Sequence, residues 1–356
     1  MKYIVLFVLL LDTITAFSQL KYYDAVNLPL YGKATENTLT RYERLPADFK
    51  NVSRKALWYQ GQCSSGMYIR FRSNAKTIGA KWELLRNKEM NHMPPVGIKG
   101  LDLYAYTNGK WHFARPARPS GKKNEAVIIE NMSGEEREYM LFLPLYDQLT
   151  SLHIGVDSLA EIKEPLLNLP DSRLKPIVWY GTSITMGGCA NRPGMCYTNI
   201  FVRRLNREVI NLGFSGNAFY DYEIADLMGE CEAALYVMDN LPNVGAASVR
   251  EKGENFYRRL RKKAPETPIL FIEHPIYPYL IFDQKDNKHV TDLNIAIKEL
   301  YQKLKKSGER NIYYLEGKGL IDQDCESTVD GEHFTDLGYM RMADAVEPII
   351  RKILKK

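Results

Sequence analysis

The sequence predicts an α/β domain with a parallel sheet, preceded by an all-β domain of the sandwich or jelly-roll kind. From Leu20 to about Val156, short runs of alternating apolar and polar residues are separated by turn residues, and no helical pattern intervenes. After Lys175 the pattern changes to apolar strand, polar loop and helix, repeated along the chain. The 356 residues, 45% of them hydrophobic, are enough to bury a core in each domain.

The first 18 residues have the features of a secretory signal peptide. Lys2 precedes an apolar stretch from Ile4 to Leu11, and Ala16 and Ser18 place small residues ahead of a cleavage site at Gln19. The stretch is too short to span a bilayer, and no later stretch is apolar enough to do so. An N-terminal strand or a short anchor is the alternative. No cysteine at the cleavage site offers a lipid anchor, so we expect a secreted or periplasmic protein.

We place the all-β domain at residues 19–165. The segments GMYIRFRSNAKTIGAKWEL and AVIIENMSGEEREYMLFLPLYDQLTSLHIGV predict short strands divided by turns. Several such strands without helices are typical of a sandwich or jelly roll. The segment LPDSRLKP, from Leu169 to Pro176, then indicates a connection between domains.

The α/β domain is predicted at residues 175–356. Its strands are predicted in PIVWYG, EVINLGFSG, AALYVMDNLPN, PILFIEHPIYP and NIYYLEG. Helices are predicted in MCYTNIFVRRLNR, YDYEIADLMGE, TDLNIAIKELYQKLKKSG and TDLGYMRMADAVEPIIRKILKK, the last with Thr335 or Asp336 as N-cap. Near-continuous apolar strands alternating with helices predict a parallel sheet, and ligands bind beyond the carboxyl ends of such strands.

Charge and cysteine content exclude several classes of protein. The net charge of +5 is spread along the chain, and no basic run exceeds a helix face such as Arg258 to Lys263, so we expect no nucleic-acid partner. The five cysteines are too sparse for a disulfide scaffold, and an odd number cannot all pair within one chain. A bridge between Cys189 and Cys196 and a set of buried free thiols are both compatible with this number.

The segment IVWYGTSITMGGCANRPGMCY carries a candidate nucleophile, Ser183, directly after an apolar strand. On its own such a serine is an ordinary helix cap, and the second glycine of a G-x-S-x-G elbow is missing. The segment DGEHFTDLGY adds Asp330 and His333 just ahead of the last helix. A serine nucleophile needs a base within hydrogen-bond reach and a third group that orients the base. Together the three residues form a candidate triad.

Two further segments offer donors for a developing oxyanion. NLGFSGN places Gly216 after the second strand, and MDNLPN places Asn240 and Asn243 after the third. A glycine backbone N–H and an asparagine amide both suit this task. Glycine and asparagine are also ordinary turn residues, so the order of the segments carries more weight than any one of them.

These four segments, in this order, resemble the sequence blocks of the SGNH (GDSL-like) hydrolases, whose catalytic residues lie on a flavodoxin-like sheet. GTSIT resembles the first block and implies that Ser183 is the nucleophile, with its own N–H in the oxyanion hole. GFSGN resembles the second block and implies a role for Gly216. DGEHFTD resembles the last block and implies that Asp330 and His333 complete the triad.

The third block differs from the usual Gly-x-Asn-Asp of the family. DNLPN has the D-x-x-P-N form of one branch, which favours Asn243 over Asn240 in the oxyanion hole. That branch carries a β-rich N-terminal domain with a Gly-x-Asp-Leu-Tyr pattern, which GIKGLDLYAY resembles at Gly100, Asp102 and Tyr104. GGCANRPGMCYTNIF also resembles the extended first block of the branch.

The resemblance implies a secreted serine esterase that removes acyl groups, chiefly acetyl, from a carbohydrate or small-molecule ester, without a cofactor. An acyltransferase that uses the same triad is one alternative. A glycan-binding protein without activity, holding its ligand on Trp58, Trp82 and Trp111, is another. The sequence contains no His-x-x-x-His, Cys-x-x-Cys, acidic calcium loop or phosphate-binding glycine loop, so it predicts no metal site.

Three residues outside the triad are candidates for substrate contact. Asn191 and Arg192 follow Ser183 closely enough to line a pocket, or they stabilise their own loop. His92 lies in a loop rich in methionine and proline, just ahead of the Gly-x-Asp-Leu-Tyr pattern. This loop either reaches the mouth of the active site or packs between the domains.

Overall fold

A computed structural model describes residues 20–166, 168, 170–171, 174–321 and 323–355. The predicted signal peptide, residues 1–18, lies outside these residues, as does part of the predicted connection at 169–176. Within the described ranges, no helix combines the length and the apolar character needed to cross a bilayer.

The N-terminal region consists of antiparallel strands in two sheets. Its strands are β1 (Lys21–Asp24), β2 (Leu30–Tyr31), β3 (Tyr68–Ser73), β4 (Ile78–Leu84), β5 (Leu101–Thr107), β6 (Lys110–Ala117), β7 (Lys123–Ile129), β8 (Arg137–Phe142), β9 (Leu149–Val156) and β10 (Ile162–Lys163). One sheet has the order β1-β9-β4-β7, and the other has the order β10-β3-β8-β5-β6 with β2 beside β3. When the two-residue strands β2 and β10 are left out, the remaining eight strands lie in the order of a jelly roll.

Alternation along these strands places one apolar face of each sheet in a shared core. Ile69 and Leu103 from one sheet contact the same buried cluster as Trp82 and Ile154 from the other. Because Trp82 lies inside this core, it cannot serve as a surface for a glycan. Three short helices connect the strands: α1 (Phe49–Val52), α2 (Lys55–Gly61) and α3 (Pro95–Lys99).

The C-terminal region contains a parallel five-stranded sheet, as predicted. Its strands are β11 (Ile177–Gly181), β12 (Val209–Gly213), β13 (Leu235–Asp239), β14 (Ile269–Ile272) and β15 (Ile312–Leu315). They lie in the order β12-β11-β13-β14-β15, which is the flavodoxin-like order. The strand order reverses next to β11, so the carboxyl end of β11 is where a ligand site is expected.

Helices cover both faces of this sheet. They are α4 (Ser183–Met186), α5 (Tyr197–Leu205), α6 (Tyr222–Glu230), α7 (Ala246–Ser248), α8 (Glu254–Lys263), α9 (Gln284–Lys306) and α10 (Asp336–Leu354), with a π-helical turn at Val249–Gly253. Trp179 packs on one face with α5 and α10, and Tyr180 packs on the other with α6, α8 and α9. Of the two predicted caps of α10, Thr335 is the N-cap. Helix α9 begins ahead of its predicted segment because Asp283 caps it there.

The two regions share a hydrophobic core. Phe142 and Tyr146 of the jelly roll belong to the same buried cluster as Trp179, Ile200 and Tyr339 of the α/β region. The jelly-roll strands are therefore packed against the side of the sheet on which α5 and α10 lie, whereas the segment of α1 and α2 contributes Phe49 and Leu57 to the cluster on the other side.

Candidate active site

The candidate nucleophile lies at the first residue of α4, directly beyond β11. Thr182 is the N-cap of this helix, and its side chain accepts a hydrogen bond from the Ile184 N–H at 3.3 Å. Thr182 thus performs the capping role that the sequence left open for Ser183. The Ser183 N–H, as the first of the helix, has no acceptor within it, and the Ser183 hydroxyl is available to another partner.

That partner is His333. Ser183 Oγ lies 2.9 Å from His333 Nε2, and His333 Nδ1 lies 2.8 Å from Asp330 Oδ2. The loop is fixed by its own backbone, because Asp330 Oδ1 accepts from the N–H groups of His333 and Glu332 at 2.8 and 3.1 Å. The structure thus brings together all three members of the predicted triad from loops far apart in the chain.

The charge on Asp330 determines which nitrogen of the histidine carries the proton. Burial raises the pKa of Asp330, but hydrogen bonds from the His333 N–H, the His333 ring and the Glu332 N–H outweigh it, so the pKa lies below its ordinary value. An ionised carboxylate only accepts hydrogen bonds, so His333 Nδ1 must donate to it. His333 Nε2 then presents its lone pair to the Ser183 hydroxyl.

The loops after β12 and β13 contain the predicted oxyanion donors. Gly216 has a φ of 63°, a left-handed conformation that favours glycine. Asn243 Oδ1 accepts from the Ala218 N–H at 3.2 Å, so its Nδ2 points away from Ala218 and is available to a ligand. By contrast, Asn240 is buried, and its Nδ2 donates to the Ala218 carbonyl oxygen at 3.4 Å. This difference favours Asn243.

The structure places the three candidate contact residues differently. His92 lies at the triad, with its ring centroid 5.7 Å from that of His333. Asn191 donates from its backbone and side chain to Asp336 at 3.0 and 3.2 Å. Arg192 turns to the jelly roll, where it donates to Asp102. Asn191 and Arg192 thus make contacts that support their own loop, and their part in substrate contact stays a prediction.

The Gly-x-Asp-Leu-Tyr segment of the jelly roll forms hydrogen bonds with the loop that follows α4. Asp102 is fully buried, and its Oδ2 accepts from Arg192 Nη1 at 2.7 Å and from the Gly194 N–H at 2.8 Å. Arg192 Nη1 also donates to the Tyr104 hydroxyl at 2.5 Å, and its guanidinium stacks 3.7 Å above the Phe113 ring. The pattern therefore joins the two regions beside the triad.

Two further jelly-roll residues contact the active-site loops, and sequence analysis missed both. The Tyr146 hydroxyl donates to the Ser183 carbonyl oxygen at 3.2 Å. The buried Arg44 guanidinium donates to the carbonyl oxygens of Asn211 and Gly213 at the end of β12, at 3.0 and 2.7 Å. Each is a single polar residue in a loop, so no local pattern marks it.

A buried carboxylate lies beneath the candidate nucleophile. Asp239, the last residue of β13, accepts from the Tyr197 hydroxyl at 2.6 Å, from Trp179 Nε1 at 3.1 Å and from the Thr185 hydroxyl at 3.4 Å. Burial raises the pKa of Asp239 to about 6, although these three hydrogen bonds oppose the rise. The network ties β11, α4, α5 and β13 together under Ser183.

All five cysteines are free thiols, so Cys189 and Cys196 are not bridged. Cys196 Sγ lies 3.2 Å from the Thr185 carbonyl oxygen inside the core. Cys189 faces the triad instead, where burial and then the charge of Asp330 raise its pKa to about 12. Neither thiol is therefore an activated nucleophile.

The chain matches two family models. Residues 174–351 match the GDSL-like lipase/acylhydrolase family, and residues 20–162 match the N-terminus of SGNH-hydrolase-type esterases. No curated protein matches the chain.

Solved structures share this architecture. A Bacteroides ovatus protein assigned as a GDSL-like lipase is 36% identical, with a TM-score of 0.90 over 95% of this chain and 98% of its own. The salicylyl-acyltransferase SsfX3 of a tetracycline biosynthetic pathway is 17% identical, with a TM-score of 0.75 over 94% of this chain and 97% of its own. An acetyl xylan esterase of Butyrivibrio proteoclasticus is 12% identical, with a TM-score of 0.56 over 94% of this chain and 99% of its own.

Proposed function

Because the chain belongs to the GDSL-like lipase/acylhydrolase family and is an SGNH-type esterase, we propose that it is a secreted serine esterase that removes acetyl groups from a carbohydrate. The observation that carries the proposal is the chain of hydrogen bonds from Ser183 Oγ through His333 to Asp330. The predicted signal peptide supports secretion.

In this proposal Ser183 Oγ attacks the ester carbonyl carbon while His333 Nε2 takes the hydroxyl proton. The developing imidazolium is stabilised by Asp330, which already accepts from Nδ1 at 2.8 Å. As the tetrahedral intermediate collapses, His333 returns the proton to the leaving alcohol. Water then attacks the acyl-enzyme with His333 again as the base, and the acid product leaves.

The negative charge on the carbonyl oxygen needs donors that are already in place. We assign this task to the N–H groups of Ser183 and Gly216 and to Nδ2 of Asn243. The hydrogen bond from Ala218 to Asn243 Oδ1 supports the assignment, because it orients the amide before a substrate arrives. Loss of one such donor costs roughly 2.7–4 kcal/mol of transition-state stabilisation.

A structural neighbour supports acetyl as the acyl group. Acetyl esters of a carbohydrate are the chemistry named for the acetyl xylan esterase that shares this fold.

Transfer of the acyl group to an acceptor alcohol, instead of to water, is a second candidate function. The acyltransferase SsfX3 covers nearly the whole chain with a higher TM-score than the acetyl xylan esterase does. The same triad would serve, with an acceptor hydroxyl in the place of water. Incubation with an acyl donor and candidate alcohols distinguishes the two, because transfer gives a new ester and hydrolysis gives free acid.

The test of the proposed function measures acetate released from acetylated xylan and from acetylated cello-oligosaccharides, beside turnover of p-nitrophenyl acetate, butyrate and octanoate. We expect acetate release from the polysaccharide, and turnover that falls as the acyl chain lengthens. Ser183→Ala and His333→Ala should abolish both, whereas His289→Ala, which changes an exposed histidine of α9, should not. Octanoate as the preferred acyl group would contradict the acetyl assignment.

A further inference from the structure

Four side chains with metal-binding atoms converge at the mouth of the candidate active site. One nitrogen of His92, the Cys189 Sγ, one Asp330 oxygen and one nitrogen of His333 all lie within 4.8 Å of one another. From this cluster we infer that the protein binds a zinc-like divalent cation there, and that the bound ion switches the esterase off. The switch rests on the proposed function, whereas the binding does not.

The donor set selects the class of cation. Two imidazoles, a thiol and a carboxylate are ligands typical of Zn²⁺, whereas Mg²⁺ and Ca²⁺ prefer oxygen alone. Zinc–ligand bonds of about 2.0–2.3 Å in a tetrahedral site place the ligand atoms roughly 3.3–3.8 Å apart. The observed separations of up to 4.8 Å therefore need only small side-chain movements to reach this geometry.

The side chain of Cys189 points into the cluster from a left-handed turn. Cys189 has a φ of 68°, a left-handed conformation that glycine and asparagine adopt at lower cost. The residue nevertheless carries a side chain, and that side chain faces Asp330, His333 and His92. The thiol is thereby placed beside the three other ligand groups.

An ion at this cluster is incompatible with the proposed catalysis. His333 Nε2 is the base that faces Ser183 at 2.9 Å, and Nδ1 is the nitrogen that Asp330 holds at 2.8 Å. Whichever nitrogen binds the ion, the histidine loses either its basic lone pair or its orientation. His92 comes from the jelly roll, so the ion also links that domain to the catalytic loop across the mouth of the site.

Binding is tested by Co²⁺ titration of the Ser183→Ala variant, which retains all four ligands but lacks the nucleophile. We expect one Co²⁺ per chain, with a thiolate charge-transfer band and the intense visible bands of a tetrahedral site. Both signals should be lost in a Cys189→Ala background, and the visible bands should weaken in a His92→Ala background. Cys325→Ala, on an exposed residue, and His153→Ala, on a half-buried residue, are matched controls outside the cluster and should retain the spectrum.

Inhibition is tested by Zn²⁺ titration of ester hydrolysis, with each variant compared with its own metal-free rate. The parent, Cys325→Ala and His153→Ala should lose activity at the same Zn²⁺ concentration, and removal of the Zn²⁺ with a chelator should restore the activity. Loss of the His92 ligand should raise the inhibitory Zn²⁺ concentration by at least about tenfold.

Absence of the cobalt spectrum, or the same spectrum in His92→Ala and Cys189→Ala as in their parent, would overturn the site. A normal cobalt spectrum without zinc inhibition of an active parent would overturn the switch. If the parent has no esterase activity, the spectrum alone still decides the site.

Discussion

The Tyr146 hydroxyl donates a hydrogen bond to the carbonyl oxygen of Ser183 at 3.2 Å. Tyr146 belongs to the N-terminal jelly-roll region and Ser183 to the α/β region, so the N-terminal region contacts the backbone of the candidate nucleophile directly. Arg44 does the same for the end of β12, ahead of the loop that carries Gly216. The jelly roll thus supports the active-site loops directly.

Tyr146→Phe should lower kcat for ester hydrolysis roughly two- to tenfold, because a neutral hydrogen bond contributes about 0.5–1.5 kcal/mol. The phenyl ring keeps the packing, so the melting temperature should change little. Tyr59→Phe, on an exposed tyrosine of the same domain, is the matched control. Unchanged kcat in Tyr146→Phe would mean that the contact does not position Ser183.

Arg44→Met should lower the free energy of unfolding by about 3 kcal/mol or more, measured by urea denaturation. The guanidinium is buried, and its loss leaves three buried carbonyl oxygens without their donor, those of Cys63, Asn211 and Gly213, while the Gln60 carbonyl oxygen keeps the Cys63 N–H. Arg250→Met removes an exposed pair with Glu299 and should cost less than about 1 kcal/mol. Equal costs for the two variants would contradict the role of Arg44 between the domains.

Asp102 and Arg192 should be strongly coupled in a double-mutant cycle made with Asp102→Asn and Arg192→Met. Asp102 is fully buried and Arg192 partly so, and we expect a coupling free energy of roughly 1–3 kcal/mol. The exposed Lys288–Asp292 pair on α9 is the comparison cycle, with about 0.3–0.5 kcal/mol expected. Additive effects at Asp102 and Arg192 would show that the contact does not join the domains energetically.

Asp239 should make the stability of the protein depend on pH between about 4 and 6. Burial raises its pKa from 3.8 to about 6, so the folded state binds the proton more tightly than the unfolded state does. Its contribution to stability is therefore greatest below pH 4 and is lost as the pH rises through 6. The difference in unfolding free energy between the parent and Asp239→Asn should fall by roughly 3 kcal/mol over this interval. A difference that does not vary with pH would contradict the raised pKa.

The fold was predictable because its signals are local. Buried parallel strands such as β11 and β13 are continuous apolar runs, and the strands of the jelly roll alternate, so each class of sheet marks its own sequence. The start of α9 was missed because its first turns are polar, and only the cap at Asp283 indicates where the helix begins. Element boundaries depend on such caps more than on periodicity.

The site was predictable only in part. Ser183, Asp330 and His333 occur in recognisable segments, and the structure brings them together. The choice between Asn240 and Asn243 depends on which side-chain amide keeps its Nδ2 available. Ala218 binds Nδ2 of Asn240 but Oδ1 of Asn243, and tertiary packing sets this difference.

Two supports of the site, Tyr146 and Arg44, left no signal in the sequence. Arg44 acts on β12 across a separation of 167 residues, so no local pattern marks its role. His92 and Cys189, two ligands of the proposed cation site, likewise meet only in the folded chain.

The most direct test of the central claim is to label the protein with a fluorophosphonate and locate the adduct by peptide mass spectrometry. The reagent bonds covalently to a serine that a neighbouring base activates. We expect one adduct per chain, on the peptide that contains Ser183, and greatly slowed labelling in His333→Ala. An adduct on another serine, or labelling of Ser183→Ala at the rate of the parent, would contradict the proposed triad.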